Sequence, residues 1–138
     1  MENRHLHDLI RSRAPITMSP GDSVRDACSK ILEHHIGCVL VTEQDQLVGI
    51  FTGRDAVKLL AAGRKRAGLT LADVMTRRVT TLGPAASALE ALHCMQDGGF
   101  HHVPIVDRGR LVGVVARRDF YGIEHARLDE ETSYWERI

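Results

Sequence analysis

Apolar positions recur at helical spacing in two stretches of this chain: Val24, Ala27, Cys28, Ile31 and Leu32, and again Ala88, Ala91, Leu92 and Met95. Both stripes are expected to be core faces. Each follows a short extended piece, Ile16-Thr17-Met18 or Thr80-Thr81-Leu82, and a turn at Pro20 or Pro84. Ser23 with Asp26, and Ser87 with Glu90, fit a capping box in which the serine caps the first turn and the acid reaches back. The helices should end near His35 and at Gly98-Gly99. Apolar strands follow at Cys38–Val41 and Val103–Val106, then polar turns at Glu43–Gln46 and Asp107–Arg110, then strands Leu47–Phe51 and Leu111–Val115 that complete hairpins. Pro104 has no N–H for a ladder, so its strand should be exposed on that side or lie at an edge. Gly49 and Gly113 pack nothing inside strands, which marks close approach by another backbone or a ligand. A second helix should open at Thr52-Gly53-Arg54-Asp55 and stop at Gly63; its counterpart should open at Ala116-Arg117-Arg118-Asp119 and run into Phe120-Tyr121. Each unit therefore reads β-α-β-β-α.

The two units are one pattern written twice. Residues 17–55 and 81–119 match without a gap, 64 positions apart, with identities at Thr17/Thr81, Pro20/Pro84, Ser23/Ser87, Ala27/Ala91, Val39/Val103, Leu47/Leu111, Val48/Val112, Gly49/Gly113, Arg54/Arg118 and Asp55/Asp119. A repeat that occurs only twice argues for a closed pair, and clefts between facing halves suit small ligands. A chain of 138 residues is one domain's worth, whereas a lone unit of about 55 residues would be marginal. The expected boundaries are a first repeat with its lead-in at 1–63, a linker with a short helix at 64–78, a second repeat at 79–126 and a tail at 127–138. Thr70-Leu71-Ala72-Asp73 caps the linker helix, which should end near Met75, and residues 5–13 are its expected counterpart ahead of the first unit. Arg64-Lys65-Arg66 reads as a solvated loop, and the aromatic pair Tyr134-Trp135 lies outside the repeat.

Composition narrows the function. Lys+Arg and Asp+Glu both total 18, so no net charge draws the chain to nucleic acid or to an anionic membrane. The apolar runs reach at most six residues, against roughly 20 for a bilayer span. The first residues lack a secretory apolar core, so the expected location is cytoplasmic. Cys28, Cys38 and Cys94 form no CxxC pair and read as small buried hydrophobes. The histidine pairs His34-His35 and His101-His102 are sequence neighbours, which do not converge as metal ligands must. No catalytic constellation emerges: Ser19, Ser23 and Ser87 sit in turns or caps, and there is no Walker loop or Rossmann fingerprint. The chain reads as a protein that is not an enzyme and requires no cofactor.

The segments Leu47-Val48-Gly49-Ile50-Phe51-Thr52-Gly53-Arg54-Asp55 and Leu111-Val112-Gly113-Val114-Val115-Ala116-Arg117-Arg118-Asp119 resemble the CBS domain, named after cystathionine β-synthase. Phe100-His101-His102-Val103-Pro104-Ile105-Val106-Asp107 and the linker Leu69–Thr76 support that resemblance, which covers about nine-tenths of the chain. Two matches in register make the tandem similar to a CBS pair, or Bateman module. The resemblance implies an α+β fold in which two β-α-β-β-α repeats pack sheet to sheet with pseudo-two-fold symmetry. Helical apolar residues such as Val57, Leu60 and Phe120 should need cover, which together with the resemblance implies a homodimer. The resemblance also implies an adenosine-containing ligand such as AMP, ADP, ATP, S-adenosylmethionine or NAD.

Carried onto this chain, the resemblance implies two sites. Thr52, Arg54 and Asp55 would face Val79, Thr80, Phe100, His101, His102 and Pro104 in the first. Arg118 and Asp119 would face Pro15, Ile16, Ile36, Gly37 and Cys38 in the second. The acid would accept from the ribose hydroxyls, while Thr and Arg at a helix start suit an anion. Ala116 stands where the first repeat has Thr52, so the second site is expected to be weaker, selective for an uncharged ligand end, or empty. One of His101 and His102 should face the cleft and the other face away. The competing reading of Thr52-x-x-Asp55 is a plain capping box. Two functions follow: a regulatory module that senses an adenine nucleotide and signals by a change of shape, or a ligand-independent dimeric scaffold that docks on an unidentified protein.

Overall fold

The computed structural model describes residues 4–10, 14–63 and 68–120. In chain order the elements are α1 (Leu6–Leu9), β1 (Thr17–Met18), α2 (Val24–Glu33), β2 (Cys38–Glu43), β3 (Gln46–Thr52), α3 (Gly53–Ala61), α4 (Leu71–Val74), α5 (Ala88–Gly98), β4 (His102–Asp107), β5 (Arg110–Ala116) and a 3-10 turn over Arg117–Asp119. They fall into two compact units. Among the described residues, one gathers 15–63, 68–79 and Arg108–Leu111; the other gathers 4–10, Ala14, Thr80–Asp107 and 112–120.

In the first repeat's unit, β1, β2 and β3 form one sheet in that order. β1 runs parallel to β2, pairing Thr17 with Leu40 and Met18 with Val41, and β2 pairs antiparallel with β3 from Cys38↔Thr52 to Glu43↔Gln46. The hairpin turns on Gln44 and Asp45, both left-handed at φ 51° and 62°, the sense that matches the strand twist. The helices bury their apolar faces around Met18, Val24, Ala27, Val39, Val41, Phe51, Leu59, Leu71 and Met75. Ser23 Oγ accepts from Asp26 N–H at 3.0 Å, and Ser87 Oγ from Glu90 N–H at 3.1 Å. The expected return bonds from these two acids do not form among the described residues. Asp26 and Glu90 stay exposed, where a first-turn carboxylate gains from the helix dipole without reaching back.

The second repeat's unit packs α5, β4 and β5 around Leu6, Ala88, Ala91, Leu92, Met95, Val103, Ile105, Val115 and Phe120. Its first strand is shorter than its counterpart, and Pro104 is the reason. In the first repeat Leu40 N–H donates to Ile16 O at 3.0 Å. Pro104 stands 64 residues on and has no N–H. The matching two-residue ladder shrinks to the single parallel bridge Leu82↔Ile105. Pro104 itself is buried, not exposed, and its strand lies at the edge of the two-stranded sheet β4-β5, the second of the two expected outcomes.

Chain order groups the lead-in with the first repeat, but packing does not. Leu6 N–H donates to Ala86 O and His7 N–H to Pro84 O, and Leu6 is wholly buried in the second repeat's core. In the same way Leu71 N–H donates to Asp22 O and Ala72 N–H to Pro20 O, and Leu71 is wholly buried in the first repeat's core. Each repeat is thus completed by the short helix that precedes the other. These helices also explain the strand glycines. A Cβ on Gly49 would lie 2.5 Å from Met75 Sδ, and one on Gly113 would lie 2.7 Å from Ile10 Cγ2.

Two further expectations are corrected. The last helix is a three-residue 3-10 turn that gives way to extended backbone at Phe120, because Ala116 offers no hydroxyl to cap it. Phe120 is returned to the core and is 7% exposed, whereas Val57 and Leu60 on α3 are 63% and 60% exposed. Tyr121, Arg64-Lys65-Arg66 and the tail with Tyr134-Trp135 lie outside the described residues.

Candidate functional site

In the first repeat's unit, β3 ends at Thr52 beside Cys38, and Gly53 N–H donates to Gly37 O at 3.0 Å. This fixes the start of α3. Asp55 N–H donates to Thr52 Oγ1 at 3.1 Å, and Thr52 N–H donates to Asp55 Oδ2 at 2.9 Å. The reciprocal box expected as the competing reading is therefore formed. It consumes one carboxylate oxygen. Asp55 Oδ1 has no hydrogen-bond partner among the described residues, and the side chain is half-buried. Arg54 is exposed and holds no ion pair among the described residues. The same unit carries Pro15, Ile16, Ile36 and Gly37, all half-buried, with Cys38 buried beside them. Ile16 and Ile36 pack on its core. Val79 also belongs here.

In the second repeat's unit the same arrangement is built from different residues. Arg117 N–H donates to His101 O at 2.9 Å, the bond that Gly53 makes to Gly37. Ala116 N–H donates to Asp119 Oδ2 at 2.7 Å, but Ala116 returns nothing, so only half of the box exists. Arg4, from the lead-in, donates through Nη2 to the backbone carbonyl of Asp119 at 3.3 Å. His101 is exposed and His102 half-buried. Burial holds the His102 imidazole below its usual pKa; the charges of His101 and Arg118 push the same way, and Asp119 opposes them. Phe100 folds its ring back over Gly98, filling the space a Cβ would take, and Pro104 is buried. Thr80 is exposed.

Each unit thus brings together residues that the sequence assigned to different sites: Gly37 and Cys38 beside Thr52–Asp55, and His101 and His102 beside Ala116–Asp119. Arg4 was missed. Only knowledge that the lead-in packs on the second repeat could have pointed to it. No group of His, Cys, Asp and Glu able to hold a metal ion occurs among the described residues, and no described helix is long and apolar enough to cross a membrane.

The CBS domain family model matches residues 6–62 and 71–124. A relative from Methanopyrus kandleri, itself uncharacterised, is 34% identical over 128 residues, 88% of this chain; the chain spans only 65% of that relative's length. The CBS domain pair of protein MJ0100, solved in complex with 5′-methylthioadenosine and S-adenosyl-L-methionine, is 27% identical, with a TM-score of 0.77 over 95% of this chain and 99% of that one. A CBS domain protein from Pyrobaculum aerophilum, complexed with AMP, shares the fold at a TM-score of 0.81 and 20% identity, over 91% of this chain and 98% of that one.

Proposed function

The chain belongs to the CBS domain family, and on that footing we propose that it is a non-catalytic regulatory module whose acid-bearing segments hold an adenosine-containing ligand. The observation that carries this reading is the unengaged Oδ1 of Asp55. A half-buried carboxylate that needs only one oxygen for its cap has the other ready for a ribose hydroxyl. Arg54 beside it is available for an anionic group. The ligands named for MJ0100 are adenosine derivatives, which supports the same class here. Such a ligand regulates only if it binds one shape of the protein better than another.

Denaturing the purified protein and identifying any released small molecule by mass spectrometry is the direct test, followed by calorimetry with AMP, ATP and S-adenosylmethionine. Asp55→Asn separates ligand contact from capping. It should weaken binding about ten- to a hundredfold, the worth of a charge-assisted hydrogen bond, with a much smaller change in the melting temperature of the ligand-free protein. A large loss of stability with unchanged affinity would leave capping as the whole role of Asp55.

The scaffold reading has its own observation. An apolar groove of about 750 Å³ lies on the first repeat's unit, lined by Val24, Cys28, Ala56, Val57, Leu59 and Leu60. We propose that a second copy of the chain covers it, giving a homodimer.

A further inference from the structure

We propose that the apolar groove on the first repeat's unit is filled by residues 127–138 of a second copy of the chain, each copy giving its tail and receiving one. This rests on the dimer reading and names the segment that makes the contact. The groove is walled by α2 and α3 and holds about 750 Å³, with Val57 and Leu60 more than half exposed along it. Leu32, one turn beyond Cys28 on α2, is also exposed and continues the apolar surface. The second repeat has no counterpart to α3 among the described residues. A three-residue turn stands in its place, and Phe120, at the position of Ala56, is buried. Among the described residues this helix pair therefore occurs once in each chain, and one tail follows.

The tail's chemistry fits this groove. Leu128, Trp135 and Ile138 fall seven and then three residues apart, the spacing of anchors that lie in an apolar groove. Asp129, Glu130, Glu131 and Glu136 stand among them, against two bases, Arg127 and Arg137. The groove's rim has the opposite sign. Arg25 lines it, Lys58 is exposed between Val57 and Leu59, and neither holds an ion pair among the described residues. Arg64, Lys65 and Arg66 follow in the sequence, with no acid between Asp55 and Asp73. Asp26 is the acid beside Arg25, so the surplus near α3 is positive. An acidic segment with apolar anchors matches both floor and rim; a basic one would match only the floor. The family model's second match ends at residue 124, so the shared repeat does not supply this segment. A tail lying in its own chain's groove would cover Val57 and Leu60 without joining two copies. Exchanged, the same contact forms twice about a two-fold axis and covers both grooves.

Trp135 is the chain's single tryptophan, so its fluorescence reports the tail alone. Two full-length variants separate the halves of the contact. Leu60→Glu keeps the tail and blocks the groove; Leu128→Ser with Trp135→Ser keeps the groove and removes two anchors and the fluorophore. Each should sediment as a monomer. Mixed, they should form a dimer with one contact in place of two, so at higher concentration, and Trp135 of the Leu60→Glu chain should shift to the blue as it enters its partner's groove. A synthetic peptide of residues 127–138, titrated into the Leu128→Ser, Trp135→Ser protein, should show the same shift. Arg25→Gln with Lys58→Gln in that protein should weaken the peptide about two- to tenfold. The peptide decides the matter even where Leu60→Glu fails to fold. A dimeric wild type whose tail variant is also dimeric, or whose groove does not take the peptide, overturns the exchange and leaves the dimer reading standing. A wild type that is monomeric overturns both; a blue-shifted Trp135 in that monomer, lost in Leu60→Glu, would assign the groove to the chain's own tail.

Discussion

His102 shows how much a single position reports. Its counterpart in the first repeat is Cys38, buried at the start of a strand, and the chain has placed an ionisable ring in a setting that suits a thiol. Burial lowers the imidazole pKa from 6.5 in the folded protein. The unfolded chain therefore binds the proton more readily. Stability is full above the unfolded value and falls as pH drops below about 6.5 towards the folded pKa. His102→Cys should flatten the melting temperature between pH 7.5 and 5.5 relative to the wild type. An equal slope in the variant would assign the acid sensitivity to other groups. Thr52 and Asp55 were legible as a cap or a ligand contact because both readings use the same residue types at the same spacing. The atoms divide the two: Oδ2 belongs to the cap and Oδ1 remains. Arg4 was not legible, because nothing local to His5 or Leu6 says that their partner lies some 80 residues away.

At the level of elements, the sequence was most informative where a short-range rule governs. Helix starts at Ser23, Ser87, Thr52 and Thr70, the stop at Gly99 and both hairpin turns follow from local chemistry, and they appear where spacing puts them. It was least informative about which helix packs on which strand. Gly49 and Gly113 were visible as sites of close approach, but their partners, Met75 and Ile10, come from crossed segments. Those partners differ in a way that can be measured. Met75 meets a Cβ at Gly49 with a flexible thioether, which can swing away, although Thr76 O at 3.1 Å cannot. Ile10 meets a Cβ at Gly113 with its own branch point at 2.8 Å. A β-branched chain has few other rotamers. Both Gly→Ala variants should therefore be overpacked, by roughly 1–3 kcal/mol, with Gly113→Ala the more destabilising. Urea melts of the two proteins would show it; a larger loss for Gly49→Ala would mean that the Thr76 backbone, not side-chain stiffness, sets the cost.

For the whole molecule, the question is what covers α3. Val57 and Leu60 are about three-fifths exposed beside the apolar groove, and they were singled out in the sequence as needing cover. Phe120, named with them, proved to be core, because a three-residue turn cannot carry it outward as a full helix would. Burying both side chains on both copies would contribute roughly 4–7 kcal/mol. Association costs about 4–15 kcal/mol in lost freedom. On this arithmetic the two residues bring a dimer near balance, and the rest of the groove tips it. Removing one of them should therefore tip it back. The wild type is expected to sediment at twice 15.3 kDa at micromolar concentration, and Leu60→Glu at the monomer mass. Because Leu60 is exposed within the protomer, the substitution should change the stability of the isolated chain by only about 0.5 kcal/mol. A Leu60→Glu protein that remains dimeric would place the interface elsewhere. A wild type that sediments only as a monomer would overturn the dimer and leave the groove to a different partner.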